Sequence, residues 1–282
     1  MENRIFDLSG QVAIVTGCST GLGVQMARAL ANAGASIAAL ARRKNLIDEV
    51  AAQITRDFGV KAIGVACDIT DTDRVESAVA EVLANLGRID ILINNAGMGI
   101  SGAFEFTQSK DAHRLMEVNL FGMNNLIRAV LPHMRAQRSG RIVNLSSVAG
   151  SLAIPFQSWY SISKAAVRAM TMALANEVHK YGVGVTCVQP GDIRTGFTAA
   201  REKSIVGDVE YEGRISKSVA TMERDEQNGA DPAVAGAYIA MIALKKSVKP
   251  EYTIGLMYKT FVVLARLLPV GFVRFVLEKM YG

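Results

Sequence analysis

Short apolar runs alternate with helix-length segments along nearly the whole chain, and no other feature restricts its fold so strongly. Runs at 11–16, 36–41, 61–67, 89–93, 141–146 and 183–188 are almost continuous in apolar residues and rich in Val and Ile, the pattern of strands buried on both faces. Helical patterns fill 22–33, 46–58, 73–86, 112–134 and 161–181 between them. Gly34, Gly59, Gly87, Gly140 and Gly182 follow these helices, where a left-handed C-terminal cap is wanted. Strand and helix in strict turn imply right-handed crossovers. The expected fold is α/β: a doubly wound, mostly parallel sheet in three layers, one domain over 1–255.

Half of the 282 residues are hydrophobic and one-fifth are charged, which excludes a disordered chain. Cys18, Cys67 and Cys187 are odd in number and far apart, against a disulfide framework or a thiolate zinc site and for a reducing compartment. His113, His133 and His179 share no ligand spacing, so they are expected at the surface or at helix ends, with no metal. Residues 1–10 hold Glu2, Arg4 and Asp7 and no apolar core, so no leader is expected there. Residues 1–244 carry 24 basic and 24 acidic side chains, whereas 245–282 carry seven basic and two acidic, so the whole net charge of +5 belongs to the last 38 residues. So local an excess does not fit a nucleic-acid-binding surface.

The first strand runs into Thr16-Gly17-Cys18-Ser19-Thr20-Gly21-Leu22-Gly23, and a helix follows. A Gly-rich turn there lets backbone N–H groups and the helix dipole face a pyrophosphate; a plain tight turn is the other reading. The glycines do not match G-x-G-x-x-G, and no Lys follows the last one as in a nucleoside-triphosphate loop. The spacing resembles the T-G-x-x-x-G-x-G loop of the short-chain dehydrogenase/reductase family. Further family motifs follow in order: Asp68 after the third strand, Asn94-Asn95-Ala96-Gly97 after the fourth, and Asn119 in the long helix. Then come Ser147, Tyr160-x-x-x-Lys164 and Pro190-Gly191-x-Ile193-x-Thr195.

The resemblance covers nearly the whole chain and implies a Rossmann fold with a nicotinamide dinucleotide. It places Gly17, Ser19, Thr20, Gly21, Leu22 and Gly23 around the pyrophosphate. Asp68 and Ile69 would lie against adenine, and Asn95, Ala96 and Gly97 would support the middle of the cofactor. Pro190, Gly191, Ile193 and Thr195 would surround the nicotinamide end, with Ile193 and Thr195 on its carboxamide. The choice between dinucleotides turns on charge after the second strand, where a carboxylate would reject a 2′-phosphate. Ala41-Arg42-Arg43-Lys44 stands there instead, with no acid before Asp48. Cations at a helix start oppose its positive pole by up to ~1 kcal/mol each, and a bound phosphate would reverse that. NADP(H) is the expected cofactor, held by Arg42 with Arg43 or Ser19 helping; a solvated surface run is the plainer reading.

Delivering a proton to a developing alkoxide requires an acid, and the reverse reaction a base. Tyr160 and Lys164 are four apart and share a helix face, and a neighbouring cation favours phenolate. By resemblance Tyr160 is the acid/base. Lys164 would lower its pKa and bind the nicotinamide ribose, Ser147 would hold the substrate oxygen, and Asn119 would hold a water leading from Lys164. Taken singly, each has a bland explanation: a chance pair, a capping serine, a polar residue in an apolar helix.

The expected pocket lining is largely apolar, from Met98, Ile100, Phe104, Leu152, Ile154, Phe156 and Trp159 with Asp192, under a lid at about 196–229, and it suits a small hydrophobic ketone or alcohol. The residues around Pro155-Phe156 and Asn95–Gly99 look like the 17β-hydroxysteroid and retinol dehydrogenase branch. The expected activity is NADP(H)-dependent interconversion of a steroid-, retinoid- or lipid-like ketone and its alcohol. A 3-oxoacyl reductase of lipid synthesis and a non-catalytic NADP(H)-binding sensor or scaffold are the alternatives. Residues 256–282 form a basic, apolar extension breaking near Pro269-Val270-Gly271. It is read first as a cap packed on the protein and second as an interfacial anchor through 257–281. The chain is expected to be cytoplasmic or membrane-peripheral, and the resemblance implies a homodimer or homotetramer.

Overall fold

The computed structural model describes residues 7–282; residues 1–6, part of the stretch read as lacking a leader, lie outside it. Strands β1 (Val12–Thr16), β2 (Ser36–Ala41), β3 (Ala62–Ala66) and β4 (Ile91–Asn94) belong to one sheet with β6 (Gly140–Leu145), β7 (Val183–Pro190) and β9 (Glu251–Ile254). The order β3-β2-β1-β4-β6-β7-β9 is parallel at every pairing. The order reverses between β1 and β4, where Ala13 pairs with Ile91. Crevices for ligands open at the carboxyl ends of strands at such a switch point. A separate pair joins β5 (Ile100–Ser101) to β8 (Glu202–Lys203).

Both faces of the sheet are covered, which is why the strands are apolar throughout. On one face α1 (Gly21–Asn32), α2 (Lys44–Phe58) and α9 (Pro232–Ala243) bury Met26, Leu30, Ile47, Ile54 and Ile239 against β1 and β2. On the other, α3 (Thr72–Leu86), α5 (Gly122–Gln137) and α6 (Ser158–Val178) bury Val75, Val79, Leu126, Val130 and Val167. Burying one such side chain stabilises by about 1.5–3 kcal/mol. Helix starts are set locally: Asp71 accepts from Arg74 N–H at 3.1 Å, and Asp231 accepts from Ala233 N–H at 2.7 Å beside Pro232 at the first position,.

Gly59 and Gly87 end α2 and α3 in the left-handed conformation, and Gly182 ends the 3₁₀ turn His179–Tyr181 that follows α6. Gly140 departs from its expected role. Arg138 takes the left-handed position with φ 52°, while Gly140 begins β6, where an added Cβ would lie 2.6 Å from the Met134 sulfur. The expected single helix over 112–134 is also broken. It consists of α4 (Ser109–Met116), a π-helical turn Glu117–Phe121 and α5. The segments on either side of the π-helical turn are both helical, so an offset of one position between their stripes reads as one continuous helix in the sequence.

Beyond β7 lie α7 (Phe197–Ala200), β8 and α8 (Arg214–Gln227), and after β9 come α10 (Leu256–Leu267) and α11 (Val270–Tyr281). Pro269 separates the last two, where the break was expected. Cys18, Cys67 and Cys187 are free and buried, and the three histidines are exposed on helices or the turn after α6. Among the described residues no helix is long and apolar enough to cross a membrane. Nothing lies within 4 Å of a Cβ added to Gly59, whose φ is 68°. Gly59→Ala should therefore destabilise through backbone strain alone, by about 1–2 kcal/mol, read as a lower urea midpoint with an unchanged slope.

Candidate active site

The ends of β1 and β4 are stitched together by one buried side chain. The Thr16 hydroxyl accepts from the backbone N–H of Asn95 and of Ala96, each at 2.9 Å, and Asn95 Nδ2 donates to the Thr16 carbonyl at 2.9 Å. Gly17 bends away with φ 63°, and a Cβ on it would lie 2.8 Å from Asn95 Nδ2. A Cβ on Gly23 would lie 2.4 Å from the Gly17 carbonyl oxygen. The loop thus closes onto the start of α1 only because both residues lack side chains. Thr20, the residue before α1, makes no side-chain cap, and the first turn holds no acid. Its N–H groups and positive pole are therefore left for an anion, and the cradle fits a dinucleotide pyrophosphate.

From this loop a cavity of about 990 Å³ runs across the carboxyl edge of the sheet. All the residues expected at the cofactor and the catalytic centre line it except Gly23 and Asn119. Gly23 lies behind the loop it supports. At one end are Ser19, Arg42, Arg43, Asp68 and Ile69. Arg43 Nη2 donates to Ser19 Oγ at 2.8 Å, and Lys44 pairs with Asp48 at 2.5 Å. Exposed Arg42 makes no hydrogen bond or ion pair among the described residues. Burial acts to raise the Asp68 carboxyl, yet hydrogen bonds from the Thr70 N–H and hydroxyl and the charge of Arg42 leave it below its usual range. Thr195, from the loop after β7, approaches Gly21 across the cavity.

At the other end Tyr160 and Lys164 project from the first turns of α6. Lys164 Nζ donates to the Leu145 carbonyl at 3.0 Å and lies 5.6 Å from the Tyr160 ring centroid. Ser147 caps the 3₁₀ turn Val148–Gly150, accepting from Ala149 N–H at 3.2 Å, and its hydroxyl also hydrogen-bonds Tyr160. Burial pushes the Tyr160 phenol up to about 12, while the Ser147 bond pulls it down. That direction is opposite to the lowering expected from Lys164: burial dominates, and the cation that draws the phenol down is Arg201 rather than Lys164. Burial also brings Lys164 down to about 8.

Asn119 sits in the π-helical turn, fully buried. Its Oδ1 accepts from Met98 N–H at 2.8 Å, and its Nδ2 donates to the Met98 carbonyl at 2.9 Å and to Ser163 Oγ at 3.0 Å. It therefore clamps the chain after β4 beside Lys164: a Cβ on Gly97 would lie 3.1 Å from Asn119 Oδ1 and 3.6 Å from Lys164 Nζ.

The expected pocket lining needs correction. Met98 and Ile154 face the cavity, but Ile100, Leu152 and Phe156 are buried, and Phe104 stacks on Trp159 outside it with ring centroids 5.4 Å apart. Residues read as lining from their apolar character are core or surface, because a β-turn-rich segment carries no periodicity to separate its faces. Phe197, Met222, Glu226 and Tyr281 line the cavity instead. Phe197 lies 5.8 Å from the Tyr160 ring. Tyr281 reaches in from the C-terminal helix, a contact no local signal announces. Beside them Arg201, its side chain 2% exposed, pairs with Glu226, leaving Arg201 Nη1 and Glu226 Oε2 unpartnered. Tyr258 donates to Asp192, whose carboxyl is raised by burial and by Glu226 and Asp225.

With this architecture in view, comparison with known proteins is specific. The family model for short chain dehydrogenase matches residues 11–205. A 3-ketodihydrosphingosine reductase of Bacteroides thetaiotaomicron is 38% identical over 239 residues, 84% of this chain and 85% of that protein. The dehydrogenase/reductase SDR family member 7B of Danio rerio is 33% identical over 85% of this chain and 76% of its own. A short-chain dehydrogenase from Streptomyces avermitilis superimposes with a TM-score of 0.81 at 34% identity, covering 96% of both chains. L-sorbose reductase from Gluconobacter frateurii, complexed with NADPH and L-sorbose, gives 0.76 at 28% identity over 88% of this chain and 96% of its own.

The chain belongs to the short-chain dehydrogenase/reductase family and is an oxidoreductase of the Rossmann fold. Its similarity to family member 7B accords with the resemblance to the hydroxysteroid and retinol dehydrogenase branch. Removing one partner of the buried Arg201–Glu226 pair leaves a charge uncompensated, so Arg201→Ala should destabilise by about 3–5 kcal/mol. The double variant Arg201→Ala/Glu226→Leu should recover part of that loss in the same denaturant titration.

Proposed function

We propose that the protein reduces a hydrophobic, lipid-like ketone with NADPH, Tyr160 giving the proton. The observation that carries this reading is the meeting of Tyr160, Ser147 and Lys164 in one cavity with the glycine cradle and Arg42. A dinucleotide bound along the cleft supplies the hydride. The Ser147 hydroxyl donates a hydrogen bond to the ketone oxygen, and the Tyr160 O–H transfers its proton to that oxygen as negative charge develops there. The phenolate left behind is stabilised by the Lys164 ammonium and refilled from solvent. A phenol raised to about 12 stays protonated at neutral pH, which suits reduction better than alcohol oxidation. Asn119 acts by fixing Met98 and the floor beside Lys164; a water relay from it to solvent remains part of the proposal.

NADPH is favoured because Arg42 is exposed beside the cleft with no hydrogen bond or ion pair among the described residues, while Arg43 is already tied to Ser19 of the glycine loop. Met98, Ile154, Phe197 and Met222 give an apolar wall near Tyr160, and Asp192, Glu226 and Tyr281 form one polar corner. This suits a long apolar molecule with a hydrogen-bonding group beside its carbonyl. The relative named for 3-ketodihydrosphingosine supports a lipid ketone over a sugar. We further propose that it assembles as a homodimer or homotetramer and is cytoplasmic or membrane-peripheral.

Fluorescence titration with NADPH and NADH tests the cofactor. Wild type should bind NADPH at least about tenfold more tightly, and Arg42→Ala should erase that preference, since a charge-assisted contact contributes roughly 1.5–3 kcal/mol. Equal binding by wild type refutes the phosphate assignment. Activity should separate the catalytic roles from mere folding. Tyr160→Phe should lower ketone reduction by about 10²–10⁴ while leaving NADPH binding intact. Lys164 has its pKa depressed, so its charge is present below about 8 and lost above. kcat/KM for reduction should therefore fall as pH rises through about 8, and a plateau extending to pH ~10 would sink the role given to Lys164.

A further inference from the structure

The C-terminal helix pair has two faces with different fates. In α10, Val262 is buried and Tyr258, Phe261 and Ala265 are partly buried against the protein. Tyr258 also lies over Gly191, whose added Cβ would be 2.1 Å from its ring. In α11, Val273, Val276, Leu277 and Tyr281 are partly covered, and Tyr281 packs against the small core cluster that includes Ile215 and Met222 of α8. The expected cap is therefore real, but it uses only half of each helix. On the opposite face of α10, Leu256, Val263 and Leu267 form a stripe at helical spacing with exposures of 83%, 46% and 76%. Val270 follows at 83%, and Phe272 and Phe275 on α11 are each 53% exposed. Ordinary surfaces scatter such residues singly; a continuous run of them marks a contact surface.

We infer that this outer face docks on an anionic lipid membrane and sets the Tyr281 end of the cleft against it. Charge selects the occupant. Arg266 is already paired with Glu251, but Lys259, Arg274 and Lys279 stand against a single acid, Glu278, between residues 256 and 281, and Lys279 lies over the Phe275 ring at 5.8 Å. In a two-fold contact with a second copy the same patch would meet itself, setting these cations against their own copies. An anionic bilayer meets both requirements at once, burying the apolar stripe at the acyl boundary and neutralising the cations at the headgroups. Neither helix is long enough to span, at 12 residues each,, so the pair lies in the interface plane. Docking rests on the surface alone; drawing a lipophilic substrate from the bilayer past Tyr281 rests on the function proposed above.

Flotation of the full chain with vesicles tests the surface. The protein should float with phosphatidylcholine vesicles containing a third phosphatidylglycerol, remain behind with phosphatidylcholine alone, and be released by salt. Phe272→Asp/Phe275→Asp should reduce the bound fraction at least about tenfold, and Lys259→Glu/Arg274→Glu should do the same. Both variants should keep the wild-type melting temperature, NADPH binding and reduction of a water-soluble ketone, so failure of docking and failure of the enzymatic reading are separate results. No flotation with either vesicle, or equal flotation with both, overturns the inference. So does a dimer, seen by light scattering, that the Asp variant dissociates in the absence of vesicle binding.

Discussion

The close approach of the β1 and β4 ends is the constraint on which the cleft depends. Thr16 spends its single hydroxyl on two N–H donors from the next strand's loop, so the glycine turn and the Asn95–Gly97 turn are positioned by the same atom. Every later feature is registered from that joint. Gly97 must pass close to Asn119 and Lys164, and Asn119 in turn fixes Met98. A sheet edge held this rigidly lets backbone N–H groups face a ligand with little reorganisation, which is the condition for electrostatic preorganisation.

Electrostatics at the two ends of the cavity pull in opposite senses. The Arg42–Arg43 end is cationic and open to water, where a phosphate is welcome. The Tyr160 end is desolvated, and desolvation rather than charge pairing sets the state of both groups: the phenol is held protonated and the ammonium is weakened. Each shift disfavours the charged form. A neutral Tyr160 beside a weakened Lys164 is the resting state that the proposed proton transfer requires, and a charge developing on a substrate oxygen is what would draw both toward their ionised forms.

Much of this was readable from residue order. The sheet followed from apolar runs of strand length, and the turn at 17–23 from glycine spacing, because both are local consequences of backbone sterics. The Tyr160–Lys164 pair was readable for the same reason, since four residues on a helix share a face. Three things were not. The π-helical turn around Asn119 inserts one residue into an otherwise regular stripe. Gly140 and Arg138 exchange the roles that glycine preference alone assigns, because Met134 occupies the space a side chain at 140 would need. The lining from Phe197, Met222 and Tyr281 arises from long-range contacts, so an apolar residue near the catalytic motif, such as Phe156, was mistaken for the wall of the cavity.

The C-terminal extension joins these threads because its inner and outer faces answer different demands. Tyr258 covers the bare Cα of Gly191 and hydrogen-bonds Asp192, so α10 braces the loop opposite the glycine turn. Tyr281 then closes the polar corner where Arg201 and Glu226 are paired. These inner contacts involve aromatic side chains with hydroxyl tips, which can bury a ring and still satisfy a carboxylate. The outer face carries Leu, Val and Phe with no such partners, so its apolar character does nothing for the fold. A tail needed only as a brace would be polar on that side, as a helix facing water is. That its apolar stripe, its cations and its only cleft-lining residue coincide on two short helices ties the cleft mouth to whatever surface the stripe meets.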